Sequence, residues 1–164
     1  MIETALGTSI AFTAPHRLAT KTGFDILESG GTAVEAMVAA AAQIAVVYPH
    51  MNSIGGDGFW LIKKMGQKPV AISACGPAAE QATPEWYEKK GYKSFLPTRG
   101  PLAALTVPGT IAGWKLALEL DNPKRAVPLN ELLSAAVERA KNGVAVTKNQ
   151  HETLAAKKHE LVSV

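Results

Sequence analysis

Between Ala33 and Val47 the chain reads AVEAMVAAAAQIAVV, with Glu35 and Gln43 its only polar positions. A helix drawn on these residues has no polar face, so it is expected to be buried on every side. Thr32-Ala-Val-Glu35 marks its start as a capping box: the Thr32 hydroxyl reaches the backbone N–H three residues on, and Glu35 reaches back. Pro49 ends it. Its alanines allow neighbouring elements to approach closely. A different pattern follows near the end of the chain. Leu129, Leu132, Leu133, Ala136, Val137 and Ala140 keep the i, i+3, i+4, i+7 spacing, which predicts one amphipathic helix closed by Gly143. Thr147-Lys-Asn-Gln150 reads as a second capping box, opening a polar helix that runs to about Glu160.

Shorter elements fill the rest. Residues 7–14 (GTSIAFTA) are partly β-branched and bounded by glycine and proline, which predicts a strand. Pro15 suits the first position of a helix and Gly30-Gly31 its end. Residues 58–63 and 70–74 predict a β-hairpin around the turn MGQKP. Thr83-Pro84 opens a short helix through Lys89, and residues 93–101 form a loop. Pro108 begins a helix to about Leu120, broken by Asp121-Asn122-Pro123. Strands near the start, a buried alanine-rich helix and several surface helices predict a layered α/β or α+β arrangement.

Composition narrows the function classes. The chain has 164 residues, 47% hydrophobic and 19% charged, with net charge +3. A sizeable core is expected and disorder is not. The lysines are scattered. The nearest basic cluster, Lys157-Lys158-His159, has no interleaved aromatics and reads as solvated helix surface, so no nucleic-acid partner is expected. Cys75 is the sole cysteine, which excludes an internal disulfide and any Cys/His metal site. The N-terminal MIETALGTSIAF lacks a basic segment followed by an apolar core, so a cytoplasmic chain is expected, with a periplasmic one left open if the N-terminus is processed. The apolar run 33–47 is shorter than the roughly 20 residues that span a bilayer, and no membrane partner is expected.

Candidate chemistry centres on YPHMNSIGGDGFWLI (48–62). Gly55, Gly56 and Gly58 permit positive φ and leave backbone N–H groups unshielded. Such a cluster serves either a close approach to a ligand or a tight helix-to-strand turn, the commoner use. It is not a phosphate loop: neither GxxxxGK[ST] nor GxGxxG is present. His16 and His50, each after a proline, read as hydrogen-bonded structural histidines, and His151 and His159 as solvated. Cys75 has no recognisable histidine partner and reads as a small hydrophobe. Arg99, in PTRGP, suits either bidentate capture of a carboxylate or pinning of its own loop. There is no GxSxG or similar nucleophile motif. The residues alone describe a globular α/β piece without a catalytic constellation.

Four stretches taken together add a family. APHRLAT (14–20), SGGTAVEAMVAAAA (29–42), PHMNSIGGDGF (49–59) and VPGTIAGW (107–114) resemble, in order and spacing, the N-terminal part of the gamma-glutamyltransferase family. AVERAKNGVAVT (136–147) resembles the helix and turn that follow, so the resemblance covers about residues 13–147. It implies an N-terminal-nucleophile hydrolase with a four-layer αββα core, of which this chain is an α+β, helix-rich portion. Residues 1–164 would be one piece, the N-terminal portion of the large subunit, with the small catalytic subunit absent. In such proteins a precursor cuts itself before a threonine. That threonine attacks an amide carbonyl, its own α-amine serves as base, and the acyl group passes to water or an amine. No metal or organic cofactor is implied. The implied partners are a small subunit from the same precursor or a companion chain, and a small-molecule amide substrate. No threonine here lies in the family's nucleophile motif, so no catalytic residue is expected in this chain, and the open-ended last helix fits a fragment or separately encoded piece.

The family carries an arginine followed by an acidic residue after the second hairpin strand, where it holds the α-carboxylate of the glutamyl group. The corresponding position falls near Cys75-Gly76, in ISACGPAAEQAT, where no arginine occurs. A charge-assisted clamp whose hydrogen bonds are worth about 1.5–3 kcal/mol each is therefore missing. The chain resembles more closely the amidohydrolase branch, with oxamate amidohydrolase and cephalosporin-acylase-like members. Cys75 and Gly76 become candidate substrate contacts by position, and Arg99 a candidate replacement for the clamp. The alternatives are a non-catalytic binding or assembly partner and a glutathione-processing transferase.

Overall fold

In the computed structural model, which describes residues 6–121 and 127–162, the helices in chain order are α1 (Arg17–Glu28), α2 (Ala33–Val47), α3 (Pro84–Lys89), α4 (Thr110–Asp121), α5 (Leu129–Leu132), α6 (Ser134–Asn142) and α7 (Lys148–Leu161). Strands β1 (Gly58–Ile62) and β2 (Val70–Ala74) lie between α2 and α3, and Pro101–Ala103 forms one 3-10 turn. The described residues divide into two compact units, one within Met1–Ser53 and Trp114–Thr147, the other within Ile54–Gly113 and Lys148–Val164.

The first unit is built on α2. Both capping-box bonds form: Glu35 N–H donates to Thr32 Oγ1 at 3.1 Å, and Thr32 N–H to Glu35 Oε2 at 2.7 Å. Val34, Ala36, Val38, Ala39, Ala40 and Val47 are buried, with α1, α5 and α6 packed along the helix. Burial on every side is not reached. Ala33 is exposed and Met37 is 45% exposed, because no described element covers the line of side chains four residues apart on that flank.

The arm before α1 departs from the predicted strand. A strand needs a hydrogen-bonded neighbour, and none pairs with residues 7–14 among the described residues. Phe12 and Ala14 pack instead on Ala19, Ala40 and Ile44. Phe12 lies where a Cβ on Gly23 would enter its ring, so that glycine makes room for the arm. Helix α1 starts after His16 rather than at Pro15: extended at φ −132°, His16 accepts the Leu18 N–H on Nδ1 at 3.2 Å and so caps the helix with its side chain. The single amphipathic helix expected over 129–140 divides at Leu133, whose φ of −87° and ψ of −9° mark the junction of α5 and α6. Leu132 and Ala136 are buried as the pattern predicts, and Gly143 closes α6 at φ +80°.

In the second unit β1 and β2 pair antiparallel, from Gly58 opposite Ala74 to Ile62 opposite Val70. Alternation along β1 turns Trp60 inward and leaves Phe59 74% and Leu61 79% exposed. Thr83 caps α3 through the Trp86 N–H, and the buried Tyr87 donates its hydroxyl to Leu102 O at 2.9 Å. Helix α4 begins two residues after Pro108, and Asn122 and Pro123, the predicted break beyond it, lie outside the described residues. No helix is long and apolar enough among the described residues to cross a membrane.

Candidate functional site

The glycine elbow before β1 is organised around one carbonyl. Gly56 O accepts the N–H groups of Gly109 and Thr110, both at 3.0 Å, and the Thr110 hydroxyl at 2.7 Å. These two N–H groups stand at the open start of α4, so a loop carbonyl does the work of a helix cap. One residue on, Asp57 Oδ1 accepts the Thr106 hydroxyl at 3.2 Å. Thr106 bridges to Ala78, Val107 N–H donates to Pro77 O at 2.9 Å, and Ala79 N–H donates to Leu105 O at 3.0 Å. The elbow, the segment after β2 and the segment before α4 therefore form one hydrogen-bonded patch.

Glycines allow this density. A Cβ on Gly76 would collide with Val107 O, one on Gly109 with Ala74 O, and one on Gly113 with Ala74 Cβ beneath the Trp60 ring. Neither Gly56 nor Gly58 uses the positive φ that the sequence suggested, and the space where a Gly56 side chain would stand is open. Close backbone packing in the patch is thus served by Gly76, Gly109 and Gly113, while the elbow's Gly56 leaves backbone uncovered.

Cys75 and Gly76 belong to this patch. The Cys75 side chain is exposed, with the Ser73 hydroxyl 3.7 Å from its Sγ. Arg99 is engaged elsewhere in the unit: its Nη1 donates to both oxygens of Glu160 on α7, at 2.9 and 3.2 Å. Lys157 Nζ also reaches Glu160, at 2.8 Å. Hydrogen bonds from Lys157 first and Arg99 second hold the Glu160 carboxyl at about 2. Among the histidines, His16 caps α1, and His50 packs edge-on to Tyr48 with centroids 4.2 Å apart. His151 and His159 are exposed. No group of three His, Cys, Asp or Glu side chains is placed to hold a metal ion among the described residues. Gly109 and Thr110 were not singled out from the sequence as site residues. Their signal was the PGT turn, whose partner at Gly56 lies too far along the chain for any local pattern to reveal.

Residues 19–163 match the gamma-glutamyltranspeptidase family. The chain is 51% identical over 150 residues to the oxamate amidohydrolase proenzyme of Klebsiella pneumoniae subsp. pneumoniae, covering 90% of this chain and 28% of that protein. The crystal structure of Helicobacter pylori gamma-glutamyltranspeptidase superposes with TM-score 0.82 and 32% identity, covering 100% of this chain and 46% of that one. A cephalosporin acylase from Bacillus halodurans superposes with TM-score 0.78 and 32% identity over 89% of this chain and 26% of its own. The chain therefore spans between about a quarter and a half of the proteins it matches.

Proposed function

Because the chain belongs to the gamma-glutamyltranspeptidase family, we propose that it is the N-terminal portion of the large subunit of an amidohydrolase whose nucleophilic threonine lies on polypeptide beyond these residues. It carries the helix-rich α+β part of the fold shared with the transpeptidase and acylase above. Its task is to scaffold. The elbow fixes the start of α4 against the β1–β2 hairpin, and the hairpin offers Phe59 and Leu61 to a companion element. The companion is the catalytic part of the same precursor. Its new N-terminal threonine attacks the carbonyl of a small amide, its own α-amine takes the hydroxyl proton and passes it to the nitrogen as the C–N bond breaks and the amine leaves, and water then releases the acyl group.

The substrate end is assigned to Cys75 and Gly76, at the position after β2 where the family's clamp would stand. Without an arginine there, a short acidic amide suits the site better than a γ-glutamyl group held by its α-carboxylate. Arg99 contributes to substrate binding only by exchanging Glu160 for the substrate carboxylate. The observation that supports this assignment is the family match across nearly the whole chain, together with 51% identity to an oxamate amidohydrolase proenzyme.

Mass spectrometry of the complete precursor tests it. Self-cleavage immediately before a threonine, together with hydrolysis of oxamate, is the expected result. An uncleaved precursor, or turnover of γ-glutamyl-p-nitroanilide without oxamate hydrolysis, overturns it.

A further inference from the structure

In the first unit a cleft of about 530 Å³ lies between the start of α1 and the loop that leaves α6, lined by His16, Arg17, Arg139, Gly143 and Thr147 among others. We propose that this cleft binds a small oxyanion, a carboxylate or phosphate group carried on a small molecule.

Four observations converge on it. Arg17 occupies the first position of α1, where the positive end of the helix dipole makes a cation unfavourable, and the first turn holds no acidic residue. A local choice that breaks the rule is explained when an anion sits between the two positive groups. Arg139 approaches from a separate helix, and neither guanidinium has an ion-pair partner among the described residues. His16 is 8% exposed, with Nδ1 committed to accepting Leu18 N–H. Nε2 is then the protonated nitrogen and a donor, and no described group accepts from it. Finally, no aspartate or glutamate lines the cleft. Two guanidiniums and an imidazole N–H make a donor set matched to oxygen anions.

Binding is read on the full chain from the His16 imidazole resonances while inorganic phosphate, acetate or chloride is added at constant ionic strength. Saturable shifts with phosphate or acetate, absent with chloride, are expected, and the tighter of the two identifies the group recognised. Arg17→Ala and Arg139→Ala should each weaken that binding about tenfold or more, the loss of one charge-assisted hydrogen bond. Arg139→Lys, which keeps the charge but not the fork, should fall between. Circular dichroism of each variant guards against a lost fold. Shifts equal to those with chloride, or binding unchanged in folded Arg17→Ala and Arg139→Ala variants, overturn the proposal.

Discussion

The Glu35 carboxylate ties its own helix start to a backbone segment 92 residues on: Oε1 accepts the Val127 N–H at 2.7 Å, while Oε2 accepts the Thr32 N–H at 2.7 Å. Glu35 is 3% exposed, and removing its carboxylate takes the acceptor from both half-buried amides at once. Glu35→Ala should cost roughly 2–4 kcal/mol in chemical denaturation, from two charge-assisted bonds and one cap. Thr32→Ala removes only its half of the box and should cost about 1 kcal/mol. Equal costs for the two would mean that the Val127 bond contributes nothing.

The glycines of the elbow patch should divide by what a methyl group would strike. Gly76→Ala and Gly109→Ala drive a Cβ into Val107 O and Ala74 O, backbone atoms that cannot step aside. Each should lose about 2–4 kcal/mol. Gly56→Ala meets open space at ordinary φ and should change stability by less than about 1 kcal/mol in the isolated chain. A large loss there would show that the open space is already committed to packing.

Features dictated by neighbours a few residues away were legible in the sequence. The Thr32–Glu35 box, the Gly143 stop and the hairpin at Gly58 and Val70 each follow from one turn of chain and its chemistry. What failed depends on contacts distant in sequence. The arm over 7–14 has β-branched residues but no pairing strand among the described residues, and the apolar run of α2 outstrips the elements available to cover Met37. The break at Leu133 interrupts a pattern that runs smoothly through it. At the candidate site, the elbow was visible as glycines and read as a tight turn, but the partner that organises it was not. That organisation rests on Gly56 O meeting Thr110, 54 residues away.

Two acid-side transitions should separate in pH. Burial first, and the Arg17 charge second, push the His16 imidazole below its ordinary 6.5. The folded chain then binds this proton less readily than the unfolded one, so stability is full above pH 6.5 and falls as pH drops below it. Glu160 runs the usual carboxylate course: its contribution is present above about 4.5 and is lost as pH falls toward about 2. His16→Asn keeps a capping acceptor without titrating, and should flatten the melting-temperature slope just below pH 6.5. Glu160→Gln should change only the lower window. A wild-type slope in His16→Asn below pH 6.5 would assign that loss of stability to another group.

The Arg99–Glu160 pair distinguishes anchoring from substrate binding. Both side chains are partly exposed, so the pair adds little to stability. If Arg99 only ties its loop to α7, Arg99→Ala and Glu160→Ala should lower the melting temperature of the complete precursor by the same small amount and leave KM alone. If it trades Glu160 for a substrate carboxylate, Arg99→Ala should raise KM about tenfold or more. Glu160→Ala, which frees the guanidinium, should lower KM or leave it unchanged. Steady-state kinetics on an acidic amide separates the two, and an equal rise in KM for both variants would exclude the exchange.

The outer face of β1 gives the sharpest test of the scaffold role. Phe59 and Leu61 stand two residues apart on one side of the strand, 74% and 79% exposed. Covering side chains of this size is worth about 1.5–3 kcal/mol each. In the isolated chain that free energy is unrealised, so the chain should bind an apolar dye and self-associate as its concentration rises. Phe59→Ser and Leu61→Ser touch little within the chain and should shift its own unfolding by no more than about 0.5 kcal/mol while suppressing dye binding. In the complete precursor the same variants should destabilise the protein by more than they do the isolated chain if the proposed companion element covers this face. Equal effects in both settings, measured by denaturant titration, would leave this face without a partner and remove the hairpin from any part in assembly.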